Sequence, residues 1–216
     1  MKKLLLFISL IFSVYTLRAQ EKGEFQIRAG FGFAGYGSES KVTYKTPIGD
    51  FSNEETDGAA TVHMPLEFRY SFTKRVNAGL DFKFGSYLYE PDSADGRSNR
   101  FAVVGVAVEY VFVAREKLRW YGGLGFNGCS LILEETDNVT DDKATWTYSG
   151  GGFRMNTGLM VFLVGGFGLN FNLGYDGHNF KLKNYEINGK DQDLDNFEAT
   201  LRVSGVDGTL GVFYKF

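Results

Sequence analysis

The chain is organised by an alternation of apolar and polar residues that repeats from residue 25 to residue 216. In the first segment, Phe25, Ile27 and Ala29 begin an apolar series that continues at every second position to Phe33. Because successive side chains of a strand point to opposite faces, a period of two predicts β-strands. The sequence predicts eight strands, in the segments 25–33, 62–72, 76–85, 100–113, 118–133, 144–164, 167–175 and 209–216.

Three features of these segments are less regular. Segment 118–133 is rich in glycine, so its facing stays open. Between Tyr148 and Phe153 the apolar series changes parity, and the run Gly150–Gly152 between them predicts a β-bulge. Pro65 interrupts the second segment and predicts another local bulge, because proline cannot donate a hydrogen bond to a neighbouring strand.

The connections between the predicted strands alternate in length. Short turns are expected around Thr73, at 114–117 and at Gly165-Gly166, and long loops at 36–58, 90–99, 134–143 and 176–198. Short turns at one end and long loops at the other are typical of bacterial outer-membrane barrels, whose short turns are periplasmic.

The facing of the strands follows from volume. The interior of an eight-stranded barrel is just wide enough for side chains to fill, and it cannot hold the many Phe, Tyr and Leu side chains of the apolar face. The apolar face must therefore point outward, where lipid rather than water satisfies it. The fold class predicted is all-β: a closed, antiparallel, up-and-down transmembrane β-barrel of about eight strands.

The opposite face carries small polar residues and isolated charges. Since isolated buried charges are costly, we expect these to pair inside the lumen. Two interpretations stay open: a network that fills and rigidifies the lumen, or a polar passage for a small solute. The predicted lumen charges are Arg28, Glu67, Arg69, Asp81, Lys83, Glu109, Arg154, Asp207 and Lys215.

The first residues have the pattern of an export signal. Lys2 and Lys3 precede an apolar run that is too short to span a membrane, and Ala19 offers a small residue for cleavage. We therefore expect residues 1–19 to be a cleaved signal peptide and 20–216 to be the barrel domain, in the outer membrane. An uncleaved membrane anchor is the alternative.

The last eight residues resemble the signal that outer-membrane barrels present to their insertion machinery. Its pattern is carried by Thr209, Gly211, Tyr214 and Phe216. The last strand has to pair at an open edge, and terminal aromatic rings suit the membrane interface. The insertion machinery is thus one expected partner.

Together with the segments 19–20 and 64–70 and the long first loop, this ending resembles the PorT-like and OmpA/OmpX-like small outer-membrane β-barrels of the Bacteroidota. The resemblance covers nearly the whole chain after the signal, and its motifs are mostly compositional. It implies a Gram-negative outer membrane, with lipid and lipopolysaccharide as surroundings. PorT-like members are linked to protein secretion, to which nothing in this chain points.

Few residues of the chain have the type and spacing that catalysis or metal binding needs. The net charge of −3 and the lack of a basic stripe exclude a nucleic-acid partner. Neither His63, expected on the inner face, nor His178, expected in the last long loop, has the neighbours of a catalytic serine site. Cys129 suits a small packing role. The aspartates of segment 191–195 lack the glycine and glutamate of a calcium loop. We expect no cofactor, no metal and no enzymatic activity.

The long loops are acidic, with 19 acidic and 7 basic residues. The leading functional hypothesis is a non-catalytic barrel with a plugged lumen that acts through these loops as an anchor, scaffold or binding protein, with its protein partner unidentified. The alternative is a narrow porin or small-solute channel, and a remote one is a lipid-modifying hydrolase.

Overall fold

The computed structural model describes residues 22–89, 99–136, 140 and 142–216. The predicted signal peptide, residues 1–19, lies outside the described residues. Nine strands are present in the described ranges: β1 Phe25–Thr46, β2 Gly49–Ser71, β3 Val76–Tyr89, β4 Arg100–Ala114, β5 Leu118–Thr136, β6 Lys143–Val164, β7 Phe167–Ile187, β8 Lys190–Asp191 and β9 Phe197–Lys215.

The strands form one closed antiparallel ring. Strands β1 to β7 each pair with the next, and β9 pairs with both β7 and β1. The two-residue strand β8 only adds to the upper part of β7. The ring therefore has eight strands, which confirms the predicted barrel. In the described part of the chain, no helix is long and apolar enough to cross a membrane.

The strands extend much further than predicted at one end. Most of the predicted loop 36–58 belongs to β1 and β2, which pair up to Thr46 and Gly49. Most of 176–198 belongs to β7 and β9, and β7 turns back at Asn188 and Gly189, both with positive φ. Of the predicted loop 134–143, residues 134–136 belong to β5 and residue 143 to β6, whereas 90–98 lies outside the described residues. This is the hairpin end; the opposite end, with the short connections 72–75, 115–117 and 165–166, is the turn end.

The outward face is apolar, as predicted. On β5, Trp120, Leu124 and Phe126 are exposed, whereas Arg119 and Tyr121 are buried inside, which settles the facing of this strand. Exposed aromatic rings surround the turn end, where they can lie at a membrane interface. They belong to Phe25, Tyr70, Phe72, Tyr110, Phe112, Trp120, Phe167, Tyr214 and Phe216.

Both predicted bulges are wrong. Pairing stays continuous through Gly150–Gly152, because Tyr148 faces the lumen while Phe153 faces outward, so apolar residues occupy both faces of one regular strand. The observed irregularity nearby adds Lys183 to β7. Pro65 keeps its register with Lys83 on β3. The register between β1 and β2 is the same on both sides of Pro65, so no extra residue is inserted there.

Candidate functional site: the barrel lumen

A layer of charged side chains crosses the lumen near its middle. Arg28 of β1 forms two hydrogen bonds of 2.8 Å with the two carboxylate oxygens of Glu109 on β4. The Nε atom of Arg69 on β2 donates to the same carboxylate at 2.8 Å. A guanidinium that binds both oxygens of a carboxylate has the strongest geometry for such a pair. Glu109 is thus shared by two arginines, and it is buried.

The layer continues across the barrel through Arg154 and Lys83. Arg154 of β6 lies 3.2 Å from Glu67, which also contacts Arg28 at 3.3 Å. Lys83 of β3 binds Asp207 at 2.7 Å and also binds Asp176 of β7. Each of these groups is nearly or fully buried, so their charges are compensated by one another and not by bulk water.

A second group of charges lies closer to the turn end. Glu24 accepts hydrogen bonds from Lys215 at 2.7 Å and from Arg119 at 3.3 Å. With this group, the lumen holds six cations and six anions among the described residues. They are Arg28, Arg69, Lys83, Arg119, Arg154 and Lys215, and Glu24, Glu67, Asp81, Glu109, Asp176 and Asp207.

The lumen also contains two apolar layers, which were not predicted from the sequence. The lower apolar layer, on the turn side of the charges, consists of Val111, Tyr121, Met160, Phe162 and Phe213. The upper apolar layer, on the hairpin side, consists of Ala34, Tyr36, Ala59, Tyr87, Phe101, Val103, Cys129, Leu131, Phe180 and Val203. Charged and apolar layers are joined where the Arg28 guanidinium lies 4.6 Å from the Tyr121 ring.

All nine predicted lumen charges lie on the inward face of their strands. Eight are buried, and Lys215 is partly buried near the turn end. Asp176 and His178, predicted in a long loop, are buried in the lumen, because β7 continues well beyond Tyr175. Arg119 and Glu24 were not predicted. The position of Arg119 next to Trp120, which faces outward, was a signal in the sequence that Arg119 faces inward.

The residues of the predicted insertion signal lie at the closure between β9 and β1. A Cβ atom on Gly211 would lie 2.3 Å from the carbonyl oxygen of Ala29, so only glycine fits there. Tyr214 and Phe216 are exposed, with ring centroids 4.8 Å apart, while Thr209 donates to Asp207 at 3.2 Å. Their role in insertion stays a prediction.

A closed ring of eight antiparallel strands with an apolar outer face defines a transmembrane barrel of the outer-membrane type. The family model for the outer membrane protein beta-barrel domain matches residues 4–206. The chain belongs to this family, and the outer membrane is therefore its location. By the family's topology, the turn end is periplasmic and the hairpin end is extracellular.

Solved structures of outer-membrane proteins are similar to this chain. The outer membrane protein OprG from Pseudomonas aeruginosa matches with a TM-score of 0.60 at 17% identity, covering 91% of this chain and 97% of that one. The attachment invasion locus protein Ail of Yersinia pestis gives 0.44 at 16% identity, covering 90% and 99%. The outer membrane protease OmpT from Escherichia coli gives 0.43 at 12% identity, covering 94% and 100%. No curated protein matches the sequence.

Proposed function

We propose that this protein is a non-catalytic outer-membrane barrel with a closed lumen, which acts through its extracellular surface as an anchor, scaffold or binding protein. The observation that supports this most is the stack of three buried layers across the lumen: the lower apolar layer, the charge layer and the upper apolar layer. The extended hairpins above them form the part of the molecule that is available to partners.

The layers argue against a conducting lumen. An ion that crossed would have to displace the guanidinium of Arg28 or Arg69 from carboxylates that are themselves buried. It would also have to pass the rings of Phe162 and Phe213, whose centroids lie 4.8 Å apart and which offer an ion no hydrogen-bonding group. The narrow interior of eight strands leaves little room for a bypass.

The position of the histidines argues against a lipid-modifying hydrolase. His63 and His178 are 1% and 3% exposed, and both side chains lie inside the barrel. A hydrolase that acts on membrane lipid needs its base and nucleophile at the lipid face or the rim. His63 contacts Asp207 at 3.2 Å, and His178 lies among aromatic rings.

The partners in this proposal follow from the two ends of the barrel. Lipid contacts the apolar outer face, and lipopolysaccharide surrounds the extracellular hairpins. The insertion machinery engages the last strand through the segment 209–216. A cleaved signal peptide at 1–19 provides export. The narrower placement among PorT-like barrels stays a prediction from the sequence.

Planar-bilayer conductance tests the proposal. The purified full-length protein is reconstituted at low protein-to-lipid ratio, and its folded state is checked by its faster migration on an unheated denaturing gel. We expect no stable single-channel steps. Reproducible steps of uniform size from the folded protein would overturn the closed-lumen proposal in favour of the narrow channel.

A further inference from the structure

An aromatic row lies on the inner side of the extracellular wall. It consists of Tyr44, Phe51, Trp146, Tyr185 and Phe197, contributed by five strands. Tyr44 is in register with both Phe51 and Phe197, and its ring centroid lies 5.2 Å from that of Phe197. Trp146 stacks on Tyr185 at 3.8 Å and lies 6.2 Å from Phe197. The row therefore crosses the wall as one surface.

These rings are in the aqueous region, not in lipid. A membrane-crossing strand of a barrel needs about 9–11 residues. Tyr44 follows Phe25, the first residue of β1, by nearly twice that number, so it lies well above the membrane. Tyr44 and Phe51 are 55% and 60% exposed. The other three rings, Trp146, Tyr185 and Phe197, are half-buried. Contiguous apolar surface that stays accessible to water marks interaction sites.

Carboxylates share the inner face with the aromatic row. Glu55 and Asp57 follow Phe51 at even intervals along β2, which places them on the same face, between the row and the upper apolar layer. Both residues are exposed. The Asn53 amide donates to Glu55 at 3.0 Å, consistent with a shared face.

The ion pairs that lysines make at the hairpin end, among the described residues, form on the outer face. Lys41 binds Glu54, and Lys45 binds Glu198. Lys143 contacts Glu134 at 2.9 Å. All six residues have the outward parity of their strands. The lysines of these pairs are thus turned away from the inner wall, which retains aromatic rings and carboxylates.

We propose that the inner wall binds an organic cation that carries an aromatic or alkyl group. The apolar group would pack on the aromatic row, and the cation would lie between ring faces and the carboxylates of Glu55 and Asp57. Ring faces attract cations, and the carboxylates repel anions. Glu55 is four positions after Phe51, about 13 Å along the strand, which suits an elongated ligand. This inference rests on the proposed function, since it names the ligand class of the extracellular surface.

The chain offers its own reporter. It has two tryptophans, of which Trp120 faces outward at the turn end and Trp146 belongs to the aromatic row. The variant Trp120→Phe, in lipid nanodiscs, leaves Trp146 as the fluorophore. The probes are 6-phenylhexylammonium, 6-phenylhexanol and 6-phenylhexanoate, which share a tail long enough for an elongated site and differ in head-group charge. We expect saturable quenching by the ammonium compound, with the alcohol at least about tenfold weaker and the carboxylate inactive.

Adjacent glutamates on opposite faces give a matched pair of variants. In the Trp120→Phe background, Glu55→Gln should raise the Kd of the ammonium probe about threefold to fivefold, whereas Glu54→Gln should leave it unchanged. Equilibrium dialysis of the same probe measures the Kd independently of fluorescence, and gel migration verifies folding.

Three outcomes would overturn the inference: no binding by either method, equal binding of the alcohol, or equal effects of the two glutamine variants. Each is distinct from failure of the proposed function, which the conductance of the same preparation reports. A silent bilayer without probe binding removes the ligand class and keeps the closed barrel.

Discussion

Replacing Glu109 by Gln removes the carboxylate charge that two buried guanidiniums share. In the folded barrel Arg28 binds both of its oxygens at 2.8 Å, and Arg69 binds one of them at 2.8 Å. Breaking a buried ion pair by removing one partner costs about 3–5 kcal/mol, because the other charge stays buried and uncompensated. Glu67 remains 3.3 Å from Arg28 and 3.4 Å from Arg69, so we expect a loss of stability at the low end, about 3 kcal/mol.

Urea-induced unfolding in lipid vesicles measures this loss. With a denaturant slope of about 1–3 kcal/mol/M, the midpoint should fall by about 1–3 M. Glu198→Gln, which breaks an exposed ion pair with Lys45, serves as the control and should leave the midpoint unchanged. The double variant Arg28→Met with Glu109→Gln should lose less than the two single variants summed, because they remove both charges of one pair. A wild-type midpoint for folded Glu109→Gln would refute the lumen network.

Two further predictions concern closure and assembly. Gly211→Ala should prevent formation of the fast-migrating folded band on an unheated gel, because the added Cβ would lie 2.3 Å from the Ala29 backbone. The control Gly208→Ala, whose Cβ would lie 4.0 Å from its nearest atom, should fold normally. Equal folding of both variants would show that β9 and β1 can move apart to accept the methyl group. Tyr214→Ala with Phe216→Ala should lower the amount of barrel assembled in the outer membrane while leaving refolding in detergent intact, and normal surface levels of this variant in cells would contradict the insertion signal.

The alternation predicted strands where one face meets lipid and the other the lumen. Segments such as 100–113 match β4 within a residue, because the two faces there need different side chains. Above the membrane both faces of β1 and β2 meet water, so the alternation fades, and the strands up to Thr46 and from Gly49 were predicted as a loop. The pairing that forms these hairpins depends on backbone hydrogen bonds, which every residue type except proline can make, so the residue composition does not predict it.

The sequence predicted which face of the barrel the charged residues occupy, but not which of them contact one another. Parity placed Arg28 and Glu109 inside the barrel, but their pairing spans 81 residues and depends on the stagger of the ring. Asp176 was missed because the predicted strand ended at Tyr175, whereas β7 continues to Ile187. The apolar layers were missed because Tyr121 lies in the glycine-rich segment 118–133, whose facing stayed open, and Phe180 lies in a segment that was predicted as a loop.

Cysteine labelling of β9 tests the central claim, an apolar outer face around a closed lumen. In a Cys129→Ala background, Val203→Cys and Val212→Cys place a thiol at an inner position, 3% exposed, and an outer one, 42% exposed. In intact outer membranes, a membrane-permeant maleimide should label Val212→Cys. A small, charged, water-soluble thiol reagent should leave Val203→Cys unmodified until the barrel is unfolded. Rapid labelling of folded Val203→Cys by the water-soluble reagent would contradict the closed lumen.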